Sequence, residues 1–373
     1  MIDIQETAKS TWAVGIAARR NLPFVSLVVP GYNEESIIEK NLGQLCLWMD
    51  SLSQSYRWEL IFVNDGSKDR TGQLAEQFAL QRTNVHVYHH FVNKQLGRAL
   101  QTAFQHCRGE YIVVLDLDLS YSPDHIERLL KRIIETQAQI VIASPYMKGG
   151  QVTNVPWKRK ILSKWANKFL SLAYKGKVHT LTGMVRAYER KFIESLNLKA
   201  TDMEVNAEIL YKAQLLRARV IEIPAHLDWS LQKQVGKSRI SSMKTLRGIG
   251  GNLMAGFIFR PFMFFMIPGL ILLLISFYII GWILINTFTI YPEAMATSTY
   301  FDDQFSNAVA MVFKERPHAF MVGGITLLAA LQLLSLGILS LQNKRYFEEL
   351  FHFSTRIYAN HLNHSNHSLE QDD

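Results

Sequence analysis

Apolar positions divide this chain into two unlike parts. From residue 24 to residue 144, short apolar runs alternate with stretches of helical period. Phe24–Val29 reads as a strand ending at Pro30-Gly31, and Glu35–Leu52 as a helix with Ile37, Ile38, Leu42, Leu45 and Trp48 on its apolar side. Further strands are predicted at Leu60–Val63, Val85–Tyr88, Tyr111–Leu115 and Ile140–Ala143. Helices are predicted at about Asp69–Leu80 and Gln95–His106, with Pro123 suited to the first turn of another. This alternation predicts βαβ units and a mostly parallel sheet, and the continuous apolar strands suit a sheet covered on both faces. Residues 150–260 are less regular, with helical patterns at Trp157–Tyr174 and Met203–Leu216 and a strand at Val220–Ile223.

The second part is different in kind. Pro261–Pro292 and Ala319–Asn343 contain no charged residue, and each can supply the roughly 20 apolar residues that cross a lipid core about 30 Å thick. Two membrane spans are expected. Lys244, Arg247 and Arg260 precede the first, Lys344 and Arg345 follow the second, and the segment between them has no basic excess. The positive-inside rule then places both termini in the cytoplasm, and the first twenty residues lack the apolar core of a secretory signal. Ile240–Phe259 runs from basic to apolar and is expected to lie along the interface. The tail from Asn360 to Asp373 is polar and expected to be disordered. Gly323-Gly324 and Ala329-Ala330 are small enough for close helix approach, which leaves a homo-oligomer open. The net charge of +8 beside two spans points to anionic lipid and phosphorylated substrates, not to nucleic acid.

Three polar clusters follow predicted strands: Gly31-Tyr32-Asn33-Glu34, Asn64-Asp65-Gly66-Ser67 and Asp116-Leu117-Asp118. Open parallel sheets bind ligands beyond the carboxyl ends of their strands, so these clusters are predicted to converge. Asp116 and Asp118, two residues apart at a strand end, can point the same way and offer hard oxygen ligands to one Mg²⁺ or Mn²⁺. Helix capping is the plainer reading of such a pair. Asp65 could accept a hydrogen bond from the N–H of uracil or guanine, although Asn-Asp-Gly is also ordinary turn chemistry.

Together, Val28-Val29-Pro30-Gly31-Tyr32-Asn33-Glu34-Glu35, Val63-Asn64-Asp65-Gly66-Ser67, Leu96-Gly97-Arg98-Ala99 and Leu115-Asp116-Leu117-Asp118-Leu119-Ser120 resemble the family 2 glycosyltransferases with the GT-A fold. Leu181-Thr182-Gly183-Met184-Val185-Arg186, Gly236-Lys237-Ser238-Arg239 and the two spans make the chain similar to the polyprenyl-phosphate glycosyltransferases within that family, the dolichol-phosphate mannose synthase and GtrB-type group.

The resemblance implies an α/β catalytic domain of Rossmann-like GT-A type followed by two transmembrane helices. Its implied reaction is inverting transfer of a sugar from a nucleotide-sugar, expected to be UDP-linked, to a polyprenyl phosphate at the cytoplasmic membrane face. Pro30, Tyr32, Glu34 and Asp65 would hold the nucleoside, Asp116 and Asp118 the metal and diphosphate, and Arg239 the diphosphate. Arg159, Ser163 and Arg186 would meet the acceptor phosphate. Asp202 falls where many relatives carry an acidic residue near the reacting centre, so Asp118, Asp202 and Arg186 are the catalytic candidates.

The expected organisation is an N-terminal extension at 1–23, a catalytic domain at 24–238 and interfacial helices at 239–260. Spans at 261–285 and 319–341 would enclose a non-cytoplasmic loop at 286–318 and precede a cytoplasmic tail at 342–373. The chain departs from the pattern at Asn64, where the family often has Asp, and at Pro145, where many dolichol-type enzymes have Arg within Ser-Arg-Tyr. The rival readings are a processive polysaccharide synthase, which would usually carry a Gln-x-x-Arg-Trp motif where this chain has Asp228-Trp229 and a basic loop, and a non-catalytic membrane scaffold.

Overall fold

A computed structural model describes residues 22–157, 161, 178–230, 262–296 and 300–369. Its elements run β1 (Phe24–Gly31), α1 (Ile38–Ser51), β2 (Arg57–Asn64), α2 (Thr71–Ala79), β3 (Val85–His89), α3 (Gln95–His106), β4 (Tyr111–Val114), α4 (Asp124–Thr136) and β5 (Ile140–Ser144). There follow β6 (Gln151–Thr153), β7 (Arg186–Glu189), α5 (Arg190–Ser195), α6 (Val205–Leu215), β8 (Val220–Pro224) and β9 (His226–Asp228). A second compact unit, Arg260–Phe351, contains α7 (Met263–Met295), α8 (Phe301–Glu315) and most of α9 (Pro317–Leu369).

The large sheet has seven strands in the order β3-β2-β1-β4-β7-β5-β8. Strand β1 pairs in parallel with both β2 and β4, so the order reverses at β1 and opens a crevice at the carboxyl ends of β1 and β4. Consecutive residues Val25 to Val29, Leu60 to Val63 and Ile112 to Val114 are buried, which requires cover on both faces. Each large apolar side chain so buried stabilises the fold by about 1.5–3 kcal/mol. Ile38, Leu42, Leu45 and Met49 turn one side of α1 into this core. That helix begins at Ile38, three residues after the start its periodicity predicts, and ahead of it the amides of Glu34 and Glu35 find acceptors in Thr71 and Asp69.

The sheet is not wholly parallel. β7 runs antiparallel to β4 and β5 and wedges between them, an element without an apolar run long enough to mark it in the sequence. β6 and β9 form a separate two-stranded parallel pair. The predicted helix at Trp157–Tyr174 and the interfacial segment 239–260 fall almost wholly outside the described residues.

In the second unit, α7 and the Pro317–Phe351 part of α9 are long and apolar enough to cross a membrane. Only 11% and 17% of their most apolar windows are buried, unlike the core helices of a soluble domain. The two helices pack through small groups: Ser276 Oγ donates to the Gly323 carbonyl at 3.1 Å, and a Cβ on Gly323 would lie 3.0 Å from Ile279. Ala330 is fully buried as well, so part of the small-residue pattern is used within the chain. Among the described residues between the two most apolar segments, α7 runs on to Met295 and α8 follows. The Arg316 guanidinium lies 4.4 Å from the Trp282 ring centroid. The expectation of a disordered tail is corrected at least to Leu369, where α9 ends. No Gly or Pro follows Gly337, and each residue added to an existing helix needs no new nucleus.

One glycine sets how closely the loop 197–203 packs on α3. A Cβ on Gly97, in the first turn of α3, would lie 2.4 Å from the carbonyl oxygen of Ala200. The loop 197–203 rests directly on that backbone, with Arg98 N donating to Thr201 O and Gln101 Nε2 to Ala200 O. Gly97→Ala is expected to lower unfolding stability by about 1–3 kcal/mol through overpacking. A thermal melt at or above that of the unaltered protein would contradict this packing account.

Candidate active site

The loops leaving β1 and β2 are fastened together. Asn33, in the left-handed region at φ 56°, donates its amide to Ser67 Oγ at 2.9 Å, and its side-chain oxygen accepts from Lys68 N at 2.8 Å. Glu34 N donates to Thr71 Oγ1 at 2.7 Å, and Thr71 N and Oγ1 both donate to Asp69 Oδ1. Burial alone would raise the Asp69 pKa, but the hydrogen bonds from Thr71 and Glu35 outweigh it and hold the carboxyl below its ordinary value. Pro30, paired with Val63, and the half-buried Tyr32 and Glu34 therefore sit on a braced rim.

Asp65 lies at the end of β2, its amide donating to Gly31 O at 2.9 Å. Its carboxylate is buried and held on one oxygen: Oδ1 accepts from His90 Nδ1 at 2.6 Å and from Lys94 N at 2.9 Å. Gly66 turns the chain at φ +68°, where any Cβ would strike the backbone of Val92. Asn64 turns the other way, its amide nitrogen against His89 Nδ1 at 3.0 Å and its oxygen accepting from Ser67 N.

Asp116 and Asp118 follow β4 across the crevice. Burial, then the charges of Asp118 and Glu34, push the Asp116 carboxyl up from 3.8 to about 8. The charge of Glu34, from the first loop, is thus felt at the pair after β4. Two hydrogen bonds fix the turn: Ser120 N donates to Asp118 Oδ1 at 2.9 Å, and the buried Asn41 of α1 donates to Leu117 O at 2.8 Å. Asp228 N reaches Ser120 O from the opposite side. Buried His125 gives Nδ1–H to Ser122 O and accepts from His226 N, and burial favours its neutral form.

Asp202 is placed by a separate brace. Glu208 accepts from the amides of Lys199 and Ala200, while Lys212, paired with Glu208 at 2.6 Å, donates to Leu196 O and Asn197 O. This holds the loop before α6, and Asp202 O accepts from Val205 N as the helix starts. Arg186 is fully buried in β7 and donates to Leu181 O at 2.6 Å and Asn206 O at 3.0 Å. The structure thus places it inside a wall of the domain. Pro145 is buried at the end of β5, a position from which it has no side-chain donor to offer. Arg159, Ser163 and Arg239 lie outside the described residues.

Asn41, His90, Glu208 and Lys212 support this site without having been read from the sequence. Asn41 had a signal, as a polar residue on the buried stripe of α1. His90 had none beyond its place just after a strand, and the Glu208–Lys212 pair looked like ordinary helix surface.

The raised Asp116 pKa has a defined consequence. Between about pH 4 and pH 8 the folded form retains a proton that the unfolded chain has lost, so this group's contribution to stability falls as pH rises. A divalent cation binding the ionised pair would reverse that loss. The melting temperature gained from a fixed, subsaturating Mg²⁺ concentration is therefore expected to be larger at pH 8 than at pH 6, and Asp116→Asn should abolish the difference. A gain independent of pH would contradict it.

The chain matches the model of the family described as glycosyl transferase family 2 over residues 26–196. It is 31% identical over 222 residues to polyprenol monophosphomannose synthase of Mycolicibacterium smegmatis, covering 58% of this chain and 80% of that protein. It is 30% identical over 203 residues to dolichol-phosphate mannosyltransferase of Pyrococcus furiosus, covering 54% and 55%. A dolichyl-phosphate beta-glucosyltransferase of Trichomonas vaginalis is 29% identical over 231 residues, covering 59% and 69%. The βαβ sheet, the loops at its switch point and these similarities agree: the chain is a glycosyltransferase and belongs to glycosyl transferase family 2.

Proposed function

We propose that this protein transfers a sugar from a nucleotide-sugar to the phosphate of a polyprenyl phosphate, with inversion, on the cytoplasmic face of a membrane. The observation that carries this reading is the position of Asp116 and Asp118 directly after β4, beside the loops that leave β1 and β2, at the sheet's switch point. The named relatives act on polyprenol or dolichol phosphate, and they differ in the sugar moved.

In this reading Pro30, Tyr32, Glu34 and Asp65 form the nucleoside rim. Asp116 and Asp118 fit an Mg²⁺ or Mn²⁺ ion, since they offer hard oxygens and a carboxyl whose neutral form a cation would disfavour. When bound, such an ion supplies electrostatic stabilisation of the leaving diphosphate. Arg239 would join the diphosphate, and Arg159 and Ser163 the acceptor phosphate, as guanidinium and hydroxyl donors to phosphate oxygens. Asp202 would lie beside the reacting centre, and Arg186 would act through the wall it braces.

An acceptor phosphate oxygen forms the new bond to the anomeric carbon while the bond to the donor's β-phosphate breaks, its electron pair leaving with the nucleoside diphosphate. The acceptor is ionised at neutral pH, so no strong base is needed. Positioning and fixed charge supply most of the rate. The apolar helices α7 and α9 would anchor the catalytic domain, with both termini cytoplasmic.

The test is transfer of labelled sugar from nucleotide-sugars to polyprenyl phosphate by the full chain in detergent. Label should extract as a short lipid-linked sugar, and Asp118→Ala should reduce transfer by at least about 100-fold, as loss of a key charge-stabilising group does. Recovery of label only as polymer would favour a processive synthase. Full activity of Asp118→Ala without added metal would sink the metal assignment.

A further inference from the structure

We infer that the Asp65–His90–Thr102 cluster sets the base preference of the donor, favouring uridine over guanosine nucleotides. This rests on the nucleotide-sugar reading and on Asp65 meeting the base. The argument begins with hydrogen-bond capacity. A carboxylate offers about two acceptor sites on each oxygen. Both internal donors to Asp65, His90 Nδ1–H at 2.6 Å and Lys94 N–H at 2.9 Å, fall on Oδ1. That oxygen is filled before any ligand arrives, and Oδ2 is left to read the base.

The two bases present different edges. Guanine offers adjacent N1–H and 2-amino donors, spaced to meet both oxygens of one carboxylate. Uracil offers a single imide N3–H between two carbonyls. A fork on guanine would place a third hydrogen bond on Oδ1, whereas uracil needs only Oδ2. Reading guanine through Oδ2 alone leaves one of its two donors without this partner, and a ligand donor desolvated without a partner lowers affinity.

His90 is what makes the asymmetry durable. It is buried, its Nε2 lies 2.9 Å from Thr102 Oγ1 on α3, and its amide donates to Asn64 O. The ring is thus gripped from α3 and from the end of β2, with Nδ1–H aimed at Asp65. Lys94 contributes a backbone amide, which no side-chain motion can withdraw. His90 is a positioning residue, acting on the nucleotide through Asp65.

The experiment is calorimetric titration of the full-length protein in detergent, with Mg²⁺, using UDP and GDP as probes. UDP is expected to bind about tenfold tighter or better, the scale of one charge-assisted hydrogen bond. His90→Ala restores capacity to Oδ1 and should narrow the UDP/GDP ratio to about threefold or less. Thr102→Val, which removes the hydroxyl at Nε2 with little change in volume, should narrow it in the same direction and decides the matter if His90→Ala fails to fold. GDP binding as tightly as UDP to the unaltered protein would overturn the base assignment and leave the nucleotide site standing. Binding of neither would remove the nucleotide-sugar reading itself. Equal weakening of both nucleotides by His90→Ala, with the ratio unchanged, would reduce His90 to a structural role and overturn the inference.

Discussion

Burial and two like-charged neighbours all push Asp116 toward its neutral form, and much of the surrounding structure holds that repulsion in place. A single strand makes it possible. β1 is hydrogen-bonded in parallel on both sides, so the loops after β1, β2 and β4 leave the sheet at similar heights and cannot separate without breaking the centre of the core. Asn41 reaches from α1 to the carbonyl between the two aspartates, and Asp228 fastens the far end of the same turn. An unfavourable electrostatic arrangement therefore persists because hydrophobic burial on both sheet faces outweighs it.

Much of this was readable without coordinates. Strands buried on both faces announce themselves as continuous apolar runs, and the polar clusters after them mark the ligand edge, since loops that carry chemistry interrupt the apolar pattern abruptly. What escaped was structure made by long-range pairing. β7 has no strand-like run, and its identity depends on being caught between β4 and β5. His90 and Glu208 are similar: each acts through partners distant in the chain or through loop amides, and periodicity carries no information about either. The helical tail errs in the opposite direction. Its polar composition suggested disorder, while an uninterrupted backbone let the helix of the preceding span continue.

Arg186 shows how a motif residue can hold the frame around a site. A guanidinium forks well onto phosphate, and its several donors can also join backbone carbonyls of two segments. Here it joins Leu181 to Asn206, tying the segment before β7 to the first turn of α6. α6 in turn carries Glu208 and Lys212, which hold the loop bearing Asp202. The loop bearing Asp202 and the buried Arg186 are thus parts of one mechanical path.

The fastening of residues 33–35 to residues 67–71 has a consequence for altering this protein. Two loops that share Ser67, Asp69 and Thr71 as common supports behave as one part, ordered when the chain folds and not when a ligand binds. Transplanting one of them from a relative would import its ligand contacts without its supports, and the foreign loop would have to become ordered at the expense of affinity. On the proposed reading, an exchange of donor preference would move both loops as a matched pair, with the His90 segment that holds Asp65.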